Sequence, residues 1–287
     1  MYMAEHRTAE HQFREALKLY EPRRHRANSL LYGYDPGTTC NGYISWALWL
    51  QGKVQEALAA SEASIRLAID SEHAPNLALS YGWATFLHLC TRDLKALNIL
   101  TTKLITHCEE HGFPHWLALG KIGRGWCCAR NGAVADGLEY LQTGIEEFRS
   151  MWGGFLVSAH LVCLADVLRM KGCFAEATDA LDRSLVMIQR SNECLWEPEN
   201  YRVRGEIALD AGQWPTALTA FRQAIKVAQD QSARSLELRA ATSLARLWRD
   251  QGKRTEARDL LAPVYNWFTE GFDTPVLKEA KLLLEQL

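Results

Sequence analysis

Six small residues recur along this chain at almost equal intervals. They are Ala57, Ala96, Gly137, Ala177, Ala217 and Ala257, spaced 39, 41, 40, 40 and 40 residues apart. Five residues before all but one stands a glycine: Gly52, Gly132, Gly172, Gly212 and Gly252, with Thr91 in the second copy. Self-similarity at a fixed period of about 20–50 residues marks a stacked array, because one unit cannot bury its apolar face alone. The stretch Glu199–Asp230 gives the clearest unit. Gly205 sits midway along a first helical pattern, and Gly212 suits the left-handed position just past its end. Ala217, Phe221 and Ala224 share one face of a second helix, so the unit reads as an antiparallel helix pair. Gly205 and Ala224 are expected to be small because the two backbones approach there.

The small and turn residues at these offsets resemble those of a tetratricopeptide repeat. The period near 40 exceeds the roughly 34 of the common unit, so helices or loops are longer here. The fold expected is all-α: a right-handed α-solenoid of about six tetratricopeptide-like helix pairs. The units are Thr38–His73, Ala74–Gly112, Phe113–Gly153, Gly154–Leu195, Trp196–Ala233 and Arg234–Gly271. Pro75, Gly112-Phe113-Pro114, Gly153-Gly154 and Pro198 punctuate them. Three segments result: an N-terminal helix and linker (residues 1–37), the array (38–271) and a capping helix (272–287). In the first, Phe13, Ala16, Leu17 and Tyr20 mark one face of a helix over Met1–Tyr20. It reads as the second helix of a pair lacking its first, so the chain is expected to be the C-terminal part of something longer, or to have that face covered by a partner. The linker Glu21–Gly37 holds a basic cluster, Arg23, Arg24, His25 and Arg26, and an Asp35-Pro36-Gly37 turn. At the other end Thr274 and Pro275 start a helix whose Lys278, Glu279, Lys281 and Glu285 give it a charged outer face. Such a cap leads us to expect no further repeat downstream.

A net charge of −2 over 287 residues gives no general electrostatic attraction to nucleic acid or membranes. No apolar run reaches the roughly 18–20 residues of a membrane span, and the polar N-terminus lacks a signal-peptide core, so a cytoplasmic protein is expected. The cysteines, Cys40, Cys90, Cys108, Cys127, Cys128, Cys163, Cys173 and Cys194, are scattered through helical patterns and read as reduced, buried small hydrophobes.

In helix-pair solenoids the first helices line the inner face. Counting back from each turn, the inward positions of the first three units are Trp46, Trp49, Tyr81, His88 and Trp126. Those of the last three are Asp166, Arg169, Arg202, Glu206, Arg239, Arg246 and Arg249. The inner face is thus aromatic in its first half and rich in arginine in its second. Both residue classes are enriched at binding hot spots, and both also fill seams between repeats. Inter-repeat salt bridges to Asp166, Glu206, Asp210 and Asp250 are the structural alternative for the arginines. If the face binds, its halves suit a peptide with one apolar and one acidic end.

Motifs for chemistry are missing. No phosphate-binding GxxxxGK[ST], GxSxG, HExxH or CxxC occurs. Gly120, Gly123 and Gly125 fall inside a helical pattern and read as close helix packing. His107, Cys108, His111 and His115 lie at a repeat boundary that Pro114 interrupts, which reads as a surface loop and not a metal site. No catalytic residue, cofactor or metal is expected.

Leu31–Gly37, Ser45–Leu58, Gly112–Trp126 and above all Arg234–Leu284 are similar to the C-terminal repeat region of bacterial multidomain predicted ATPases, often joined to an adenylate/guanylate cyclase domain. That resemblance implies a STAND-type ATPase and a cyclase-like module upstream, with the repeats as sensor and protein-interaction arm. Neither module is in this chain, so no catalytic residue carries over. The function implied is a non-catalytic scaffold or regulatory arm for a partner protein or peptide, with an ATPase or cyclase module among the candidates. The alternatives are a small-ligand sensor using the aromatic half and a remnant of a larger ATPase/cyclase.

Overall fold

The computed structural model describes residues 5–25, 29, 31, 33–152, 154 and 156–287. Met1–Ala4 of the expected first helix, Arg26 of the basic cluster and Gly153 of the expected breaker lie outside the described residues. Two compact units divide the chain: Glu5–Trp49 with Val54–Gly153, and Leu50–Lys53 with Gly154–Leu287.

The first unit begins with α1 (His6–Lys18) and a short α2 (Pro22–His25). Three helix pairs follow: α3 (Pro36–Leu50) with α4 (Val54–Ser71), α5 (Ala74–Thr91) with α6 (Leu94–His111), and α7 (Pro114–Arg130) with α8 (Val134–Trp152). The second unit holds α9 (Val157–Met170) with α10 (Phe174–Ser191), α11 (Glu197–Asp210) with α12 (Trp214–Asp230), and α13 (Arg234–Asp250) with α14 (Arg254–Asn266). A terminal helix, α15 (Pro275–Gln286), packs on α13 and α14. Among the described residues there is no strand.

The period is more regular in space than in sequence. Second helices start at Val54, Leu94, Val134, Phe174, Trp214 and Arg254, each 40 residues after the last. The left-handed residue ahead of them is Gly52, Arg92, Gly132, Gly172, Gly212 or Gly252. The second pair therefore turns on Arg92 (φ 58°), not at Thr91, and Leu97 takes the position aligned by sequence with Ala96. Leu97 is fully buried, as are Ala57, Ala177, Ala217 and Ala257. The intervals of 39 and 41 come from an alanine lying one residue off the true anchor.

Two local expectations are corrected. Asp35-Pro36-Gly37 is not a linker turn but a helix start. Asp35 Oδ1 accepts the Thr38 N–H at 2.8 Å as an N-cap, and Pro36 supplies the preset first helical φ. Tyr20 Oη donates to Asp35 Oδ2 at 2.9 Å, and the Tyr20 ring occupies the space a Gly37 side chain would need. At Gly205, in turn, the nearest obstacle to a side chain is a ring and not the facing backbone. A Cβ there would lie 2.4 Å from the Phe221 ring, so the glycine makes room for a buried aromatic. Backbone contact occurs in the third pair, where a Cβ on Gly125 would stand 2.6 Å from the Gly137 carbonyl oxygen.

Candidate functional site

The first helices carry nearly all the residues singled out above. In the first unit they form an aromatic seam. Trp46 is buried, donates its indole N–H to the Trp83 carbonyl at 3.0 Å, and lies 4.6 Å from the Trp83 ring and 4.4 Å from Phe86. Trp83 in turn meets Trp116 edge-on at 5.4 Å. Space for these rings comes from glycines one repeat earlier: a Cβ on Gly42 would strike Trp83, and one on Gly82 would strike Trp116. Edge-to-face pairs of this kind add about 0.5–1.5 kcal/mol beyond their buried area.

Trp49 and Trp126 are also buried, and the Arg130 guanidinium stands 5.5 Å from the Trp126 ring. Tyr81 and His88 are half-buried. Tyr81 has Lys103 Nζ 6.0 Å from its ring, and burial pushes its phenol pKa up. Burial also pulls His88 below the ordinary histidine range, against the opposing pull of Asp93 and Glu62. Near them His107 Nε2 is 2.9 Å from the Ala74 carbonyl oxygen, with the His111 ring 4.5 Å away.

In the second unit the seam is charged. Arg169 Nη1 donates to Asp210 Oδ2 at 2.6 Å, and its Nη2 lies 3.3 Å from Asp166 Oδ1. Arg202 is buried and grips Glu199 with two nitrogens, at 3.0 and 2.8 Å, while its third reaches Glu206 Oε1 at 3.0 Å. Arg239, also buried, bonds Glu199 Oε1 from the next first helix. Ser243 Oγ donates to Glu206 Oε1 at 2.6 Å, and Arg246 Nη1 lies 3.7 Å from the same oxygen. Arg246 Nη2 then bonds Glu279 on α15. Opposite charges thus alternate from α9 to the terminal helix.

The titration of these groups follows their surroundings. Burial opposes the charge on Glu206, but Arg202, the Ser243 hydroxyl and Arg246 outweigh it and hold its pKa below the usual range. Burial likewise opposes the charges on Arg202 and Arg169, and their carboxylate partners hold both above the ordinary arginine value. A buried ion pair adds little net stability against an apolar replacement, yet removing one partner is costly. The seam therefore fixes which first helix faces which.

Sequence reasoning singled out Asp166, Arg169, Arg202, Glu206, Arg239 and Arg246 together; the structure joins Arg202 and Arg239 through Glu199 and Arg202 and Arg246 through Glu206, while Arg169 pairs with Asp166 and Asp210. Glu199, 3% exposed, was missed although its place three residues before Arg202 is a helical pairing distance. Trp83 and Trp116 were missed as well; the mid-helix glycines Gly42 and Gly82 were their signal. Arg249 is bonded to Asp250 Oδ1 at 2.9 Å and to Gln286 Oε1 at 2.5 Å. Side-chain exposure rises toward the terminal helix, from 6% at Arg202 to 32% at Arg246 and 28% at Arg249. Among the described residues no helix is long and apolar enough to cross a membrane.

Fold and seam define a helix-pair repeat protein. Residues 156–230 and 238–265 match family models described as tetratricopeptide repeat. No curated protein matches the chain. The apo form of RapI is similar in structure, with a TM-score of 0.61 at 11% identity, over 99% of this chain and 100% of that one. A Rap protein complexed with Competence and Sporulation Factor gives 0.57 at 11% identity, over 87% of this chain and 65% of that one. A Signal Transduction ATPase with Numerous Domains (STAND) protein with a tetratricopeptide repeat sensor, from Pyrococcus horikoshii, gives 0.53 at 11% identity over 96% of this chain. This chain spans about half of that protein, 49%. Residues 156–230 and 238–265 are thus similar to tetratricopeptide repeats, and the fold of the chain is similar to that of the STAND protein with a tetratricopeptide repeat sensor.

Proposed function

We propose that this chain is a non-catalytic interaction scaffold, a repeat arm that holds a partner protein or peptide and serves a signalling ATPase or cyclase module. One observation carries the reading: the polar seam of the first helices is buried at Arg202 and Arg239 and becomes partly exposed at Arg246 and Arg249, where its pairs reach the surface beside α15. Trp46, Trp49, Trp126, Asp166, Arg202, Glu206 and Arg239 hold the repeats in register, while Tyr81, His88, Arg169, Arg246 and Arg249 keep surface for a partner. Support for the regulatory side comes from two structural relatives, one described as an ATPase with a repeat sensor and one solved with a Competence and Sporulation Factor.

The test is photo-crosslinking in the source cells. A benzophenone amino acid placed at Arg249 should trap a discrete partner, and one placed at the exposed Tyr140 of α8 should not. Equal trapping at both positions, or none at Arg249, defeats the reading. The signalling link is tested by adding purified chain to the trapped ATPase or cyclase module, whose nucleotide turnover should change.

A further inference from the structure

Two polar latches hold α15 on α13. Arg246 Nη2 bonds Glu279 Oε1, and Arg249 Nη1 donates to Gln286 Oε1. Leu277, Ala280 and Leu283 are buried on the face beneath. Above them the latch residues line an open depression of about 420 Å³, together with Pro275, Lys278 and Leu282. Its charged lining is three cations, Arg246, Arg249 and Lys278, against one carboxylate, Glu279. Lys278 is exposed and makes no ion pair among the described residues. Leu282 is 57% exposed beside it.

We infer that this depression takes an acidic peptide segment, a carboxylate next to an aliphatic side chain, and that Glu279 stands in for that carboxylate until the segment arrives. The inference rests on the scaffold reading and names the partner's chemistry. The two carboxylates on Arg246 differ in how easily they yield. Glu206 is 9% exposed and is also held by Arg202 and Ser243. Glu279 is 43% exposed at its side chain and has Arg246 as its ion-pair partner among the described residues. An incoming carboxylate therefore displaces Glu279 and leaves Glu206 in place. The planar guanidinium suits such exchange because it binds carboxylates through paired donors. Leu282 and Pro275 add an apolar contact that an aliphatic side chain can use and a nucleic-acid phosphate cannot. Because Glu279 lies on α15, occupancy also loosens one of the two latches, so binding is coupled to the seating of the terminal helix.

Fluorescence anisotropy with the full chain tests this. The probe is a fluorescein-labelled decapeptide of alternating glutamate and leucine between glycine-serine flanks, compared with its glutamine-for-glutamate and lysine-for-glutamate isomers. The glutamate peptide should bind at least tenfold tighter than either isomer, and its affinity should fall with added salt. Glu279→Gln should tighten binding by about three- to tenfold by removing the internal competitor. Arg249→Gln and Lys278→Gln should each weaken it, with circular dichroism confirming the fold. Equal binding of the three isomers, or unchanged or weaker binding to Glu279→Gln, overturns the inference. So does tighter binding of a labelled single-stranded RNA than of the peptide. If Arg249 still traps a partner by crosslinking while the isomers bind alike, the inference falls and the scaffold reading stands. If neither occurs, both fall.

Discussion

Arg202 sits in the fork of Glu199, with Nε 3.0 Å from Oε2 and Nη2 2.8 Å from Oε1, while Nη1 reaches across to Glu206 at 3.0 Å. Both carboxylates are buried, at 3% and 9% exposure. Arg239 approaches the first and Arg246 the second from the neighbouring helix, so this arginine is the junction through which α11 is registered on α13.

Replacing that junction separates structure from binding. Arg202→Met leaves two buried carboxylates with less compensation and should cost about 3–5 kcal/mol. Arg246→Met removes a partly exposed pair and should cost about 1 kcal/mol or less. Urea unfolding followed by circular dichroism reads both. A loss under 1 kcal/mol for Arg202→Met would mean that the surrounding arginines already satisfy Glu199 and Glu206.

Close packing in the third pair predicts a contrast between two glycines of one helix. A Cβ on Gly125 would meet backbone, the Gly137 oxygen at 2.6 Å and the Leu141 nitrogen at 2.7 Å. A Cβ on Gly120 would meet the Ile105 side chain at 2.8 Å, which can move. Alanine gains about 1 kcal/mol over glycine in a helix interior, so Gly120→Ala should be near neutral. Gly125→Ala should lose about 2–3 kcal/mol because the two helices must separate. Similar unfolding midpoints for the two variants would contradict this geometry.

His160 gives the fold an acid-sensitive point. It lies in α9 with no exposed surface, and burial pulls its pKa down to about 3. A depressed histidine pKa means that the unfolded chain takes up the proton first. Its stability contribution is therefore complete above about pH 6.5 and falls as pH drops toward 3, by up to about 1.4 kcal/mol per pH unit. His160→Leu should flatten that slope between pH 6.5 and 5, whatever it does to stability at neutral pH. Parallel pH profiles for the two proteins would place the sensitivity elsewhere.

Periodicity made the helix pairs legible, and two kinds of detail escaped it. Arg92 occupies a left-handed position without being glycine, so an anchor set on small residues slipped by one to Ala96 while Leu97 held the place. Asp35-Pro36-Gly37 carries the composition of a turn and also that of an N-cap followed by proline; the Tyr20 hydroxyl and the Asn76 side chain, which accepts the Asp35 N–H at 2.8 Å, fix the choice. Residue type showed that one half of the seam is aromatic and the other charged. It could not show the pairing between repeats: Glu199 has its local partner in Arg202, but its contact with Arg239, and those of Trp83 with Trp46 and Trp116, join residues about one repeat apart.

The regular left-handed turns also mark where this chain is under-optimised. Between the pairs, Glu72, Gly112, Leu156, Asn192 and Ser232 take positive φ, and Gly112 is the glycine among these five. Glu72 is exposed at φ 50°, a conformation that costs a residue with a Cβ about 1–2 kcal/mol. Glycine removes that cost but loses more freedom on folding, an opposing term of about 0.5–1 kcal/mol. Glu72→Gly should therefore stabilise the chain by up to about 1.5 kcal/mol, the difference between these two terms. Because stability in a repeat array passes mainly between neighbours, the gain should appear first as slower amide exchange in α4 and α5. Hydrogen exchange read by mass spectrometry resolves those helices. Faster exchange there in Glu72→Gly would show that the Glu72 side chain contributes more than its backbone strain removes.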